Sequence, residues 1–132
     1  MELEFERTWR GGAHLRTSFS WVKLGPDGGQ QISAPVHLAK LNYSTPLGAN
    51  GVRAAIEQQY VGARRTLTGS AGAYWLVNAN LTATRLWPRT EVALGIYNLL
   101  DRRYADPGST EHVQTALFQD GRRVRVRLTY AF

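Results

Sequence analysis

The chain has no cysteine, which excludes a disulfide framework and any cysteine-based metal site. It has no apolar run approaching the roughly 18 residues that a membrane helix needs. That absence leaves strands untouched, because barrel strands write a much weaker hydropathy signal. Histidine is scarce: His14, His37 and His112 stand far apart without ligand spacing, so no metal or other cofactor is expected. No stretch repeats with a period of 3.6, so no helix is expected, and no glycine-rich phosphate loop opens one. No carboxylate sits in an acid/base or nucleophile motif, and the expectation is a protein that is not an enzyme. The opening Met1-Glu2-Leu3-Glu4-Phe5-Glu6 lacks the basic and apolar regions of a secretory signal.

What is present is glycine (13), aromatic residues (11%) and positive charge, with a net charge of +6 and an isoelectric point of about 10.2. At 132 residues the chain fits one domain. A basic balance raises the question of nucleic acid. The arginines, however, are scattered along alternating positions, with no basic helix and no cluster of stacking aromatics among them. Nucleic acid is therefore not an expected partner.

The last eleven residues carry the clearest pattern: Arg122-Arg123-Val124-Arg125-Val126-Arg127-Leu128-Thr129-Tyr130-Ala131-Phe132. Side chains of a strand alternate between faces. Val124, Val126, Leu128, Tyr130 and Phe132 therefore share one face, and Arg123, Arg125, Arg127 and Thr129 the other. An apolar outer face, a charged inner face and about ten residues match a transmembrane β-barrel strand. The same alternation recurs upstream and predicts strands at about 2–10, 13–24, 36–45, 52–64, 74–86, 90–104 and 122–132. Leu3, Phe5 and Trp9 alternate with glutamates in the first, with Arg7 as a break. Val52, Ala54, Ile56 and Tyr60 form the apolar row of the fourth, with Gln58 as an exception.

Gly11-Gly12 reads as a two-residue hairpin, and residues 46–51 and 87–89 as short turns. The connections at 25–35 (tip Pro26-Asp27-Gly28-Gly29), 66–73 and 105–121 are longer. Short and long connections thus alternate, as periplasmic turns and extracellular loops do in outer-membrane barrels. The predicted fold is all-β: an antiparallel up-and-down meander of about seven strands, the C-terminal portion of a large transmembrane barrel. Single-chain bacterial barrels have even strand numbers, and open edges do not survive in hydrocarbon. The expectation is therefore a piece of a larger barrel, with the plug and the earlier strands absent. Alternation alone also fits a small soluble barrel that binds an apolar ligand, or a membrane barrel assembled from several copies.

Several segments add a resemblance. These are Asn98-Leu99-Leu100-Asp101-Arg102-Arg103-Tyr104, Ala105-Asp106-Pro107-Gly108-Ser109, Gln119-Asp120-Gly121-Arg122 and the terminal Leu128-Thr129-Tyr130-Ala131-Phe132. Together they resemble the C-terminal end of TonB-dependent outer-membrane receptors. That family carries an Asn-Leu-Phe-Asp-x-x-Tyr box on the penultimate strand, a Gly-Arg pair at the start of the final strand, and a terminal aromatic. Leu100 stands where the box usually has Phe. Residues 37–42 and 59–65 are similar to upstream strands of these receptors, so the resemblance covers nearly the whole chain.

The resemblance implies an outer-membrane location in a Gram-negative bacterium and a parent barrel of about 22 strands. The parent would take up a ferric siderophore, another scarce iron complex or cobalamin, driven by TonB acting on a plug. Implied partners are membrane lipid, the remaining barrel strands and plug, TonB through that plug, an iron–siderophore-type ligand, and the barrel assembly machinery, which would read Tyr130 and Phe132. The family box supplies Asn98, Leu99, Asp101, Tyr104, Gly121 and Arg122. Glu111 and His112 are candidates for substrate contact in the last long loop. Arg123, Arg125 and Arg127 are expected to pair with lumen carboxylates such as Glu91 or with plug groups. Trp9, Trp21, Tyr43, Trp87 and Tyr130 lie near predicted strand ends, where interfacial aromatic girdles form.

Overall fold

The structure, a computed structural model, describes residues 1–22, 33–48, 51–66, 68–108 and 114–132. Among them are eleven strands and no helix. They are β1 (Glu2–Thr8), β2 (His14–Trp21), β3 (His37–Pro46), β4 (Val52–Val61), β5 (Arg64–Arg65), β6 (Ser70–Ala71), β7 (Tyr74–Trp87), β8 (Thr90–Tyr97), β9 (Ala105–Pro107), β10 (Ala116–Phe118) and β11 (Arg123–Tyr130). Seven of these form one open antiparallel sheet in the order β1-β2-β3-β4-β7-β8-β11. It is the meander that the alternation predicts. The short ladders β5–β6 and β9–β10 stand within two of the long connections.

Short turns join three of the six pairs, β1–β2, β3–β4 and β7–β8, and the register of all six sorts the side chains by polarity. One row crosses all seven strands: Arg7, Leu15, Tyr43, Ile56, Ala79, Ile96 and Val124. Parallel rows on that face include Leu3-Phe19-Ala39-Tyr60-Trp75 and Ala54-Leu81-Leu94-Val126. The rows between them belong to the opposite face, for example His14-Ser44-Ala55-Asn80-Gly95-Arg125. A slip of one residue anywhere would move a whole strand's apolar set to the polar side, so six mutually consistent registers are strongly specified.

The apolar face is uncovered. Phe5 is 53% exposed, Val126 68% and Leu128 67%. Of the few buried apolar residues, Val61, Ala71 and Tyr74 lie at the end that holds the long connections, and Ala83 lies toward the short turns. Aromatics border the apolar face at both ends. Trp9 and Tyr43 meet edge to face at 6.5 Å near the short turns, where Trp87 and Tyr130 also lie. Trp21 stacks on His37, and Tyr60 meets Trp75, at the opposite end. From Trp75 to Trp87 along β7 is about 40 Å at a strand's rise, or about 30 Å across the sheet at a barrel-like tilt.

The structure corrects several predicted boundaries; the fourth strand ends at Val61 rather than at 64, and Arg64–Arg65 pair with Ser70–Ala71 instead. The first hairpin is not a two-residue turn at Gly11-Gly12: β1 stops at Thr8, and Trp9 to Gly12 form the turn. The Gly12 N–H donates to the Trp9 carbonyl at 2.9 Å, and the Trp9 N–H to the Ala13 carbonyl at 2.9 Å. Gly12 takes a positive φ of 79° there and packs on Pro46, a place that a side chain would fill. The sixth predicted strand, β8, ends at Tyr97 rather than at 104, because Asn98 turns the chain out of the sheet. The connections at 66–73 and 105–121 hold the added β6 and β9–β10 pairings. The tip at Pro26 to Gly29 lies outside the described residues.

Candidate functional site at the long-loop rim

The family-box residues come together where β8 leaves the sheet and β11 enters it. Asn98 is 5% exposed and has a left-handed φ of 51°. Asparagine tolerates that conformation better than most residues because its short amide bonds locally. Here the amide does so twice on one residue. The Arg102 N–H donates to Asn98 Oδ1 at 2.8 Å, and Asn98 Nδ2 donates to the Arg102 carbonyl at 2.9 Å. Nδ2 also reaches the Asp120 carbonyl at 3.4 Å. The Asn98 N–H donates to Asn78 Oδ1 at 2.9 Å and the Leu99 N–H to the Val77 carbonyl at 2.7 Å, which pins the turn to β7.

Asp101 completes the clamp. It too has a positive φ, 52°, and its Oδ1 accepts the Arg122 N–H at 2.8 Å. A Cβ added to Gly121 would lie 2.7 Å from the same Oδ1. Glycine therefore allows the carboxylate to reach the backbone at the start of β11. Asn, Asp and Gly are each required by a separate contact, and the three hold residues 98–102 against 120–122.

Beside the clamp lies a polar cluster. Arg64, nine-tenths buried, donates through Nη2 to Asp106 Oδ1 at 2.8 Å and to the Ala105 carbonyl at 3.1 Å. Among the described residues, its buried Nε has no hydrogen-bond partner. Tyr74 donates to Asp106 Oδ1 at 3.1 Å, and the Arg64 guanidinium lies 5.2 Å from the Tyr74 ring centroid. The Tyr74 and Tyr104 rings pack with centroids 4.4 Å apart. Burial, with help from the Asp106 carboxylate, pushes the Tyr104 phenol above its ordinary range near 10. The Ser33 N–H donates to the Arg65 carbonyl at 2.9 Å, so all three long connections are joined. Exposed Arg65, Arg102, Arg103 and Arg122 belong to the same end. The cluster can brace loops and present cations to an oxygen-rich or anionic ligand. Its one carboxylate, Asp106, is neutralised by Arg64.

The charged face of the sheet is paired in part. Arg127 and Glu91 lie 3.5 Å apart, the pairing expected from the sequence, and Arg123 pairs with Asp120 at 3.0 Å. Arg125 sits over the Tyr97 ring, 5.7 Å from its centroid. Across β1 and β2, Arg16 binds Glu4 and His14 binds Glu6. Tyr130 and Phe132 meet edge to face at 5.4 Å, with Phe132 wholly exposed. Glu111 and His112 lie outside the described residues. Among the described residues, no cluster of three or more His, Asp or Glu side chains is placed to hold a metal ion. Sequence reasoning missed the Arg64–Asp106–Tyr74 cluster, whose members are far apart in the chain; the buried arginine carried no local signal.

No protein-family model matches the chain, and no curated protein matches it.

Proposed function

We propose that this chain is a section of the wall of a β-barrel in the outer membrane of a Gram-negative bacterium. The observation that carries this reading is the register, which lines up apolar side chains from all seven strands on one uncovered face. The polar residues share the other face, aromatics border the apolar one, and every long connection lies at one end. Lipid outside and water inside would satisfy both faces at once.

Within that class we read it as the closing section of the barrel of a TonB-dependent receptor. Support comes from the box that suggested the family: Asn98, Asp101 and Gly121 form one clamp, and Tyr104 packs beside it. In that role the section supplies lipid-facing wall and braced outer loops with a basic rim. The parent receptor would take up a ferric siderophore or a similarly scarce complex.

The wall is tested by reconstituting the chain in vesicles with lipids brominated at different depths. Tryptophan at 126, in place of valine, should be quenched most by deep bromines, and native Trp75 and Trp87 by shallow ones. A water-soluble monomer that no brominated lipid quenches would remove the reading. Uptake is tested in the source cells: deletion of the coding region should abolish energised uptake of one iron complex or of cobalamin. Unchanged uptake of all of them would refute the receptor assignment.

One observation favours a second reading. A concavity of about 730 Å³ lies against the apolar face, lined by Leu3, Phe5, Phe19, Leu41, Tyr60 and Trp75 among others. A soluble protein could hold an apolar ligand there. Saturable binding of an apolar dye in plain buffer, without vesicle insertion, would select it.

A further inference from the structure

The two edges of the sheet carry opposite charges on the same face. β1 presents Glu2, Glu4 and Glu6 there, and β11 presents Arg123, Arg125 and Arg127. Among the described residues, β1 pairs only with β2 and β11 only with β8, so both strands keep one free row of backbone donors and acceptors. Glu2 and Arg125 have no ion-pair partner among the described residues. With seven antiparallel strands, β1 and β11 run in the same sense, from the long-loop rim to the short-turn rim.

Those facts limit what can complete the sheet. Two copies joined β11 to β11 in antiparallel fashion keep their faces aligned but set arginine against arginine. Joined β1 to β1, they set glutamate against glutamate. Like charges directly opposite one another destabilise a pair. An antiparallel joint between β1 and β11 of two copies turns the polar face of one toward the apolar face of the other, the mismatch that fixes register throughout the sheet. Only a parallel joint aligns both faces and charges, and it breaks a ladder that is antiparallel at every other step, with a somewhat weaker pairing.

We infer that the edges are built for a different partner: an antiparallel β-segment with an odd number of strands. The strand beside β11 presents carboxylates on the face shared with Arg123, Arg125 and Arg127. The strand beside β1 presents cations on the face shared with Glu2, Glu4 and Glu6. The inference rests on the barrel-wall reading and deepens it, because it assigns direction, parity and charge to the missing wall.

The native chain lacks cysteine, so Thr129→Cys on β11 gives a single thiol for disulfide trapping in detergent micelles. The probes are ten-residue peptides with leucine on one face and glutamate or lysine on the other. Each carries one cysteine placed opposite residue 129 in either the antiparallel or the parallel alignment. The glutamate peptide in the antiparallel alignment should be captured several-fold more than its lysine counterpart, given one new opposite-charge pair at Arg125 and two arginines that already share carboxylates. Arg-to-Glu changes at 123, 125 and 127 together should invert that preference. Equal capture of both peptides, or preference for the parallel alignment, overturns the inference. So does a dominant disulfide between Thr129→Cys and Thr8→Cys chains, the product of copies joined in parallel. Failure of the wall reading appears separately, as absence of quenching by brominated lipid.

Discussion

Replacing Asn98 with alanine is expected to be among the most damaging single changes in the chain, although the side chain meets no ligand and lies on neither face's apolar row. The amide makes two short bonds to Arg102 and a longer one to Asp120 from a site that is 5% exposed. Its loss leaves the part-buried Arg102 N–H and carbonyl without these partners, and an unsatisfied polar group costs about 1–3 kcal/mol, toward the lower end where water can reach it. Alanine at a φ of 51° adds about 1 kcal/mol of backbone strain that asparagine largely avoids. The expected loss is about 2–4 kcal/mol, read as a shift in the urea midpoint of the chain folded into lipid vesicles, with tryptophan emission as the signal. Asn98→Gly separates the two causes, because it removes the amide but tolerates the φ. It should recover about 1 kcal/mol relative to alanine. Asn98→Asp retains an acceptor for the Arg102 N–H while losing both donated bonds, and should fall between wild type and glycine. A loss below about 1 kcal/mol for alanine would refute the argument that the amide bonds hold this turn.

Two further predictions concern the wall and the rim. Val126→Arg puts a charge in the middle of the uncovered apolar face and should cost about 2–4 kcal/mol of stability in bilayers, whereas Arg125→Val on the other face should cost far less; equal costs in the same urea titration would contradict the assignment of faces. Because the fold raises the Tyr104 pKa, its neutral form is favoured in the folded chain, so that contribution is intact below pH 10 and is lost as pH rises through the folded value. Tyr104→Phe should therefore flatten part of the alkaline decline in a stability-against-pH series, and an unchanged slope would show that Tyr104 does not contribute to it.

Faces were legible in the sequence because strand parity is counted residue by residue, and a one-residue slip would set apolar side chains on the polar face. Val92, Leu94 and Ile96 could be assigned to one side without knowing their neighbours, and β7 and β11 carry matching rows on both flanks. The exceptions also have physical outlets. Arg7 lies on the apolar face but reaches the Trp9 ring, 5.1 Å from its centroid, at the short-turn border, as a long cationic side chain can. Strand ends were less legible. Nothing local at Asn98 says that β8 stops there, because the bonds that turn the chain come from Asn78, Arg102 and Asp120. The resemblance marked Asn98, Asp101 and Gly121 without giving their mechanics. The Arg64–Asp106 pair spans 42 positions, and no periodicity links such distant residues.

The clamp also separates two kinds of change. Above it the last long connection climbs by successive rungs: Tyr104 carbonyl to Gln119 N–H, the β9–β10 ladder, then Thr115 carbonyl to Gly108 N–H. Each rung closes the loop again before the next begins, so strain introduced further out is absorbed before it reaches the sheet. A change made beyond the Gly108–Thr115 bond therefore reaches the sheet only through the β9–β10 ladder and the clamp, two closures that have to open before β8 or β11 can shift.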